Sequence, residues 1–236
     1  MEPIINIQNI KKSFGSNVVL DDISFSLQKG KNLAVLGRSG SGKSVLLKCI
    51  IGLIKVDSGT IKVLDQDISN LEEENLEEVR RNIGYLFQSG AIFDSMSVRK
   101  NLEFPLKRTV KEKDKDKIEQ RVMEALKSVG LEDSAKKMPA ELSGGMRKRL
   151  GLARTLVLQP KIILYDEPTT GLDPVTSKEM SRLMISIQEK FNTSSIIITH
   201  DVKCVEMTSN HIKMLKDGKF YAEGTFEELK KSQIDE

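Results

Sequence analysis

The amino-acid sequence predicts an α/β fold: a mainly parallel core sheet, an antiparallel β subdomain at its N-terminal side and an inserted α-helical subdomain. Three observations carry this. Asn32–Leu36 is an almost continuous apolar run that ends in a Gly-rich turn and a helix-like stretch, Lys43–Ile51, the pattern of a β-loop-α unit in a parallel sheet. Before it, the short β-branched or alternating runs Ile4–Ile10, Val18–Leu20 and Ile23–Leu27 are separated by Gly15-Ser16-Asn17 and by Asp21-Asp22, which reads as antiparallel strands. Strand-like apolar runs return at Lys161–Tyr165, Ser195–Thr199 and His211–Leu215 after a long helical stretch.

Between these anchors, Thr60–Leu64 reads as a further strand, Glu72–Arg81 as a polar helix and Ile83–Phe87 as a short strand. From Gln88 to about Gln159 the texture is helical, and the mixed-sign charges from Lys107 to Arg121 indicate a solvated face rather than a binding tail. Val175–Lys190 is helix-like between two of the returning strands. One domain over residues 1–236 is expected, with 1–87 and 160–236 forming the core and 88–159 the helical subdomain.

Composition narrows the class. With 236 residues, 39% hydrophobic and 30% charged, the chain reads as globular rather than disordered, fibrous or membrane-spanning. A net charge of +3 gives no field strong enough to single out nucleic acid or anionic lipid as main partner. Cys49 and Cys204 form no CxxC or Cys/His cluster, so neither a disulfide framework nor a zinc site is expected, and a reducing cytosol fits. The first residues, MEPIINIQNI, lack the basic and apolar regions of a secretory signal, and no apolar run nears the roughly 20 residues that span a bilayer. Work at a membrane would then require another chain to hold this one there.

The chemistry begins at Gly37-Arg38-Ser39-Gly40-Ser41-Gly42-Lys43-Ser44, which fits GxxxxGK[ST] with an apolar strand before it and a helix after it. The glycines let the backbone close round phosphates with its N–H groups inward, and the helix N-terminus adds a positive dipole end. Lys43 is expected on the β and γ phosphates and the Ser44 hydroxyl on Mg²⁺. A Gly-rich turn matching by chance is the bland alternative, which the strand and helix context disfavours. The motif predicts a P-loop NTPase fold, with a nucleotide's phosphates and Mg²⁺ as expected ligands.

Ile162–Tyr165 is a buried-strand pattern ending in Asp166-Glu167, where α/β sheets place ligand sites. Asp166 is expected to reach Mg²⁺ and Glu167 to polarise the attacking water. Alone, such a pair is more often a turn or helix cap; the upstream loop reverses that. Leu142-Ser143-Gly144-Gly145-Met146 opens a helix with apolar residues Met146, Leu150, Ala153 and Val157, its other faces carrying Arg147, Lys148, Arg149 and Arg154. Ser143 is a good N-cap, and two glycines in a first turn cost roughly 1 kcal/mol each, which points to a second anion site.

Together the P-loop, LSGG on a basic helix, IILYDE and a later ITHD resemble the nucleotide-binding subunits of ATP-binding cassette (ABC) transporters along almost the whole chain. The resemblance implies a RecA-like core and two subunits packed head to tail, the ATP on one P-loop capped by Ser143, Gly144 and Gly145 of the other. It also implies roles: Phe14 stacking on adenine, Gln88 joining the metal site to the transmembrane partner, Asp173 of Gly171-Leu172-Asp173 crossing the dimer interface, and His200 contacting the γ-phosphate. Taken singly, Phe14 would read as core and His200 as structural. Met146 replaces the usual signature glutamine; activity is expected to persist, because the Ser143 hydroxyl and glycine amides remain.

LSGGM with the following Arg and Lys residues, and Leu86–Val98, further resemble the ATPase of Mla-type, MCE-associated lipid transporters. That implies an integral membrane permease, an MCE-domain lipid-binding protein, a place on the cytoplasmic face of the inner membrane, and no nucleic acid. Phe93, Met96, Val98, Leu102 and Phe104 would face the permease, although a Met and aromatic stripe is as often ordinary core. An amino-acid or small-solute importer is the alternative. A soluble ABC protein of DNA repair or translation usually carries a long coiled-coil insertion or two cassettes, and a P-loop kinase or GTPase would leave Leu142–Met146 and His200 without purpose.

Overall fold

The computed structural model describes residues 3–232 and contains two sheets. β1 (Ile5–Phe14) and β2 (Asn17–Leu27) form a long antiparallel hairpin. β2 runs straight through Asp21-Asp22, where the sequence suggested a break between two strands. The interruption survives only as shifts of register and as left-handed backbone at Asp22 (φ 63) and Asn9 (φ 49), whose side chains hydrogen-bond each other at 2.8 Å. After β3 (Asn32–Leu36), β4 (Ser58–Val63) pairs with β1, and β5 (Gln66–Asp67) pairs with β4. The antiparallel sheet, ordered β2-β1-β4-β5, therefore takes half its strands from beyond the phosphate-loop motif and is not purely N-terminal.

The second sheet contains β3, β6 (Ile83–Leu86), β7 (Ile162–Asp166), β8 (Ser194–Thr199), β9 (His211–Lys216) and β10 (Lys219–Gly224), in the order β10-β9-β3-β8-β7-β6. All its pairings are parallel except β10 with β9. Every residue of β7 and β8 is buried, which is why those segments read as unbroken apolar runs rather than as an alternation. Successive side chains go to opposite cores: Ile162, Leu164, Ile196 and Ile198 to one shared with the antiparallel sheet and α1 (Lys43–Ile50), Ile163 and Ile197 to one built mainly from helices.

That second core gathers α3 (Val98–Arg108), α4 (Lys115–Val129), α5 (Gly144–Leu156) and α6 (Pro174–Phe191), while α2 (Glu73–Arg81) packs on the first. From Lys107 to Arg121 only Ile118 is buried, as expected of a solvated charged face. β5, β10, α7 (Val202–Thr208) and α8 (Phe226–Lys231) were not foreseen. They are short, and α8 buries no side chain, so no strong periodicity marks it. No helix among the described residues is long and apolar enough to cross a membrane.

Candidate active site

Strand register assembles the site. Leu36 pairs with Thr199 and Asp166 with Ile198, so the segments after β3, β7 and β8 leave the sheet side by side at its C-terminal edge. The first is the Gly37–Ser44 loop. Two of its glycines are sterically fixed: a Cβ on Gly37 would lie 2.5 Å from the Leu215 carbonyl oxygen, and one on Gly42, at φ +98, 2.7 Å from that of Val19. Gly42 also caps α1 without a side-chain acceptor, leaving the first amides of the helix to the loop. Lys43 is buried, and its Nζ donates to the carbonyls of Gly37 (2.7 Å) and Arg38 (2.9 Å). Arg38, Ser39, Gly40 and Ser41 line a cleft of about 420 Å³ that His200 also borders. Within the loop the Ser41 hydroxyl is buried without a hydrogen-bond partner.

The carboxylates at the end of β7 divide their contacts. Asp166 accepts from the Ser44 hydroxyl at 3.1 Å on Oδ1 and from the Tyr85 hydroxyl at 2.9 Å on Oδ2. Burial, with the Asp166 charge beside it, pushes the Tyr85 phenol up, so it stays a proton donor. Glu167 adopts φ 50, which turns its carboxylate back toward the loop while its amide bonds the Ile198 carbonyl. Its Oε1 lies 3.4 Å from Lys43 Nζ; its Oε2 accepts from the hydroxyls of Thr170 (3.0 Å) and Thr199 (3.2 Å) and lies 2.9 Å from His200 Nδ1. Lys43, Ser44, Asp166, Glu167 and His200 are thus brought together as the sequence implied. Tyr85, Thr170 and Thr199 were missed; the Thr199-His200 pair at a strand end was the available signal for Thr199.

The other expected residues lie outside this cluster. Ser143 caps α5, its Oγ accepting from the Met146 amide at 3.2 Å. A Cβ on Gly145 would lie 2.6 Å from Thr176 Cγ2, whereas one on Gly144 would meet open space. Packing against α6 therefore accounts for one of the two glycines that suggested an anion site. Asp173 caps α6, and the Thr176 hydroxyl with the amides of Thr176 and Val175 holds its carboxyl below the usual range. Met146 packs against the helical core. Phe14, half exposed with Lys12 Nζ 5.4 Å from its ring centroid, is not the core residue it would be by default.

Gln88 exposes its side chain; what it contributes by hydrogen bond is its backbone carbonyl, which accepts from the ammonium of Lys148. Lys148, read as part of a polar face of its helix, is instead buried and also reaches the Glu167 carbonyl at 3.4 Å. Burial pushes its pKa down against the opposing pull of Asp166 and Glu167. A larger concavity of about 680 Å³, bordered by Phe25, Lys31 and His211, holds none of the expected residues.

The family model for ABC transporters matches residues 20–170. The chain is 38% identical over 226 residues to the methionine import ATP-binding protein MetN of Clostridium tetani, covering 96% of this chain and 70% of that one. It is 39% identical over 230 residues to the intermembrane phospholipid transport system ATP-binding protein MlaF of Haemophilus influenzae, covering 98% and 87%. Other curated relatives are longer, the chain spanning 58% to 60% of their length. Among solved structures, the dimeric ATP-binding cassette MJ0796 bound to ADP and Pi superposes with a TM-score of 0.85 at 29% identity, over 94% of this chain and 98% of that one. A phosphate loop, two carboxylates and a histidine at one sheet edge, on a fold and sequence shared with these proteins, lead to one conclusion: the chain belongs to the ABC transporter family, as an ATP-binding and ATP-hydrolysing subunit.

Proposed function

We propose that this subunit dimerises head to tail on ATP and uses closing and hydrolysis-driven reopening to work a separate membrane permease that handles lipid, from the cytoplasmic face of the inner membrane. The observation that carries the reaction is the carboxylate of Glu167 held between Lys43 and His200 beside the phosphate loop. In this reading the loop amides and Lys43 hold the β and γ phosphates, Glu167 polarises the attacking water, and His200 moves from Glu167 to the γ-phosphate. The donors at the loop fit Mg²⁺: Ser44 and Asp166 are hard oxygen ligands within hydrogen-bond distance of each other, and the reading adds the Gln88 side-chain oxygen as a third. No group of three His, Cys, Asp or Glu side chains that could hold a metal occurs among the described residues. When bound, the ion would offset charge on the terminal phosphates. Phe14 offers an exposed ring for adenine, and Ser143 with the open Gly144 amide offers the cap for ATP on a second copy.

The test of the chemistry is Glu167→Gln, which is expected to bind ATP, accumulate as dimer and lose turnover by roughly a hundredfold or more; full turnover in that variant sinks the assignment of Glu167. Lipid is favoured by the similarity to MlaF over 98% of the chain and by Met146 in the signature turn; the similarity to MetN supports the importer of amino acids as a second reading. Purifying the subunit from native membranes in mild detergent separates them. A permease with an MCE-domain protein and phospholipid supports the first, a permease with a solute-binding protein the second.

A further inference from the structure

Lys148 has no part in the roles above. It lies near the start of α5, only 9% exposed, with its ammonium shared between the carbonyls of Gln88 and Glu167. A cation there is disfavoured by loss of water. The same stripe of α5 continues at Gly151 and Thr155, three and seven residues further on. A Cβ on Gly151 would lie 2.9 Å from the carbonyl oxygen and 3.0 Å from the Cα of Gly90, so helix and loop touch backbone to backbone. The Thr155 hydroxyl lies 3.4 Å from the Tyr85 carbonyl, and its methyl fills the space above Gly84. α5 therefore lies along β6 and the loop that follows, and the one charged member of the stripe stands at the end nearest the reaction centre.

We propose that Lys148 is a positioning residue that clamps α5 to the backbone on both sides of the reaction centre, so that the helix opened by Ser143–Met146 cannot shift without displacing Gln88 and Glu167 together. The clamp rests on the ATPase reading and on the role given to Glu167. Apolar packing would serve a purely structural contact as well, without the cost of a buried charge. The donor is what the clamp needs.

The test compares wild type with Lys148→Met, which keeps length and apolar volume without a donor, and with Lys148→Arg, which restores one. Hydrogen exchange is read at the Gly90 amide, itself bonded to the Phe87 carbonyl, with β7 amides as internal reference. Lys148→Met is expected to speed exchange at Gly90 about tenfold or more while leaving β7 unchanged. It is also expected to lower kcat by about tenfold with ATP affinity within about threefold of wild type, and Lys148→Arg to restore both readings to within about threefold. Unchanged exchange at Gly90 overturns the proposal. So do Arg and Met variants that are equally impaired, since restoring a donor would then restore nothing. A wild-type protein without ATP turnover would sink the ATPase reading instead, and the exchange comparison, which needs no turnover, would still decide the clamp.

Discussion

Removing one oxygen, in Tyr85→Phe, tests whether the aspartate at the end of β7 is held from the neighbouring strand. The Tyr85 hydroxyl is the donor to Asp166 Oδ2, at 2.9 Å, and Asp166 is 7% exposed, so water cannot readily take its place. The ring stays in the variant, still packed against Phe87 with centroids 4.1 Å apart, so the change is confined to the hydrogen bond. A bond to a charged acceptor is worth about 1.5–3 kcal/mol, and the buried carboxylate oxygen is left without its donor. For a chain of this size about 1 kcal/mol moves the midpoint by roughly 2–4 °C, which gives an expected drop of about 3–12 °C. Urea unfolding of wild type and variant measures the loss, and repeating it in Asp166→Asn isolates the charge. A bond to a neutral acceptor is about half as strong, so Tyr85→Phe should cost about 1 kcal/mol less in that background. A loss below about 0.5 kcal/mol, or the same loss in both backgrounds, would refute the claim that this contact fixes Asp166.

Gly145→Ala should lower stability by about 1 kcal/mol although alanine favours helix, because its Cβ would meet the Thr176 methyl, and Thr176 cannot rotate away without giving up its hydroxyl bond to Asp173. Adding Thr176→Ser, which deletes the methyl and keeps the hydroxyl, should recover most of the loss in thermal unfolding; no recovery would mean the clash is not the cause. Asp21, in β2, bridges Lys11 of β1 and Lys219 of β10, and these partners hold its carboxyl below the ordinary value. With its folded pKa depressed, its stabilisation is present above about pH 4 and lost as pH falls through the carboxylate range. The stability gap between wild type and Asp21→Asn, compared by urea unfolding at pH 7 and pH 3, should narrow at the lower pH, and an undiminished gap there would assign the effect to packing. Saturating salt should shrink the gap at pH 7 as well, since the pairs are exposed.

Most of the chemistry was legible because the phosphate loop and the Asp166-Glu167 pair sit where strands end, and an unbroken apolar run ending in Gly-rich or acidic residues marks that place in any sequence. Partners that arrive from other strands were not. Tyr85 is one member of an ordinary apolar strand until β6 is known to lie beside β7, and that pairing joins segments far apart in the chain. Lys148 was hidden for the opposite reason. A run of Arg and Lys on a helix reads as a solvated face, and only the docking of α5 on the Gln88 loop turns one of the four inward. The strand break expected at Asp21-Asp22 failed because β2 absorbs the turn-forming residues as left-handed backbone and a change of register without leaving the sheet. The two glycines of the signature turn pointed to a single use, but packing on Thr176 accounts for Gly145, while Gly144 faces open space.

Glu167 shows why so much of the site converges on one residue. Left-handed backbone at a residue other than Gly, Asn or Asp costs about 1–2 kcal/mol, and neither Gly nor Asn would place a carboxylate at this point. The strain is held by contacts on both sides: its amide on the Ile198 carbonyl, its own carbonyl on Lys148, and its carboxylate on Lys43, Thr170, Thr199 and His200. Three of those partners crowd onto Oε2, so of the two carboxylate oxygens only Oε1, which meets Lys43 alone, keeps a lone pair free for water. Thr199 is buried in β8 and Thr170 is held on the same turn as Glu167, whereas the His200 side chain is more than half exposed. Of the three, His200 is the partner whose departure costs least packing. A γ-phosphate that draws His200 away would therefore both gain a donor and, in the proposed mechanism, open the second oxygen of Glu167 to water.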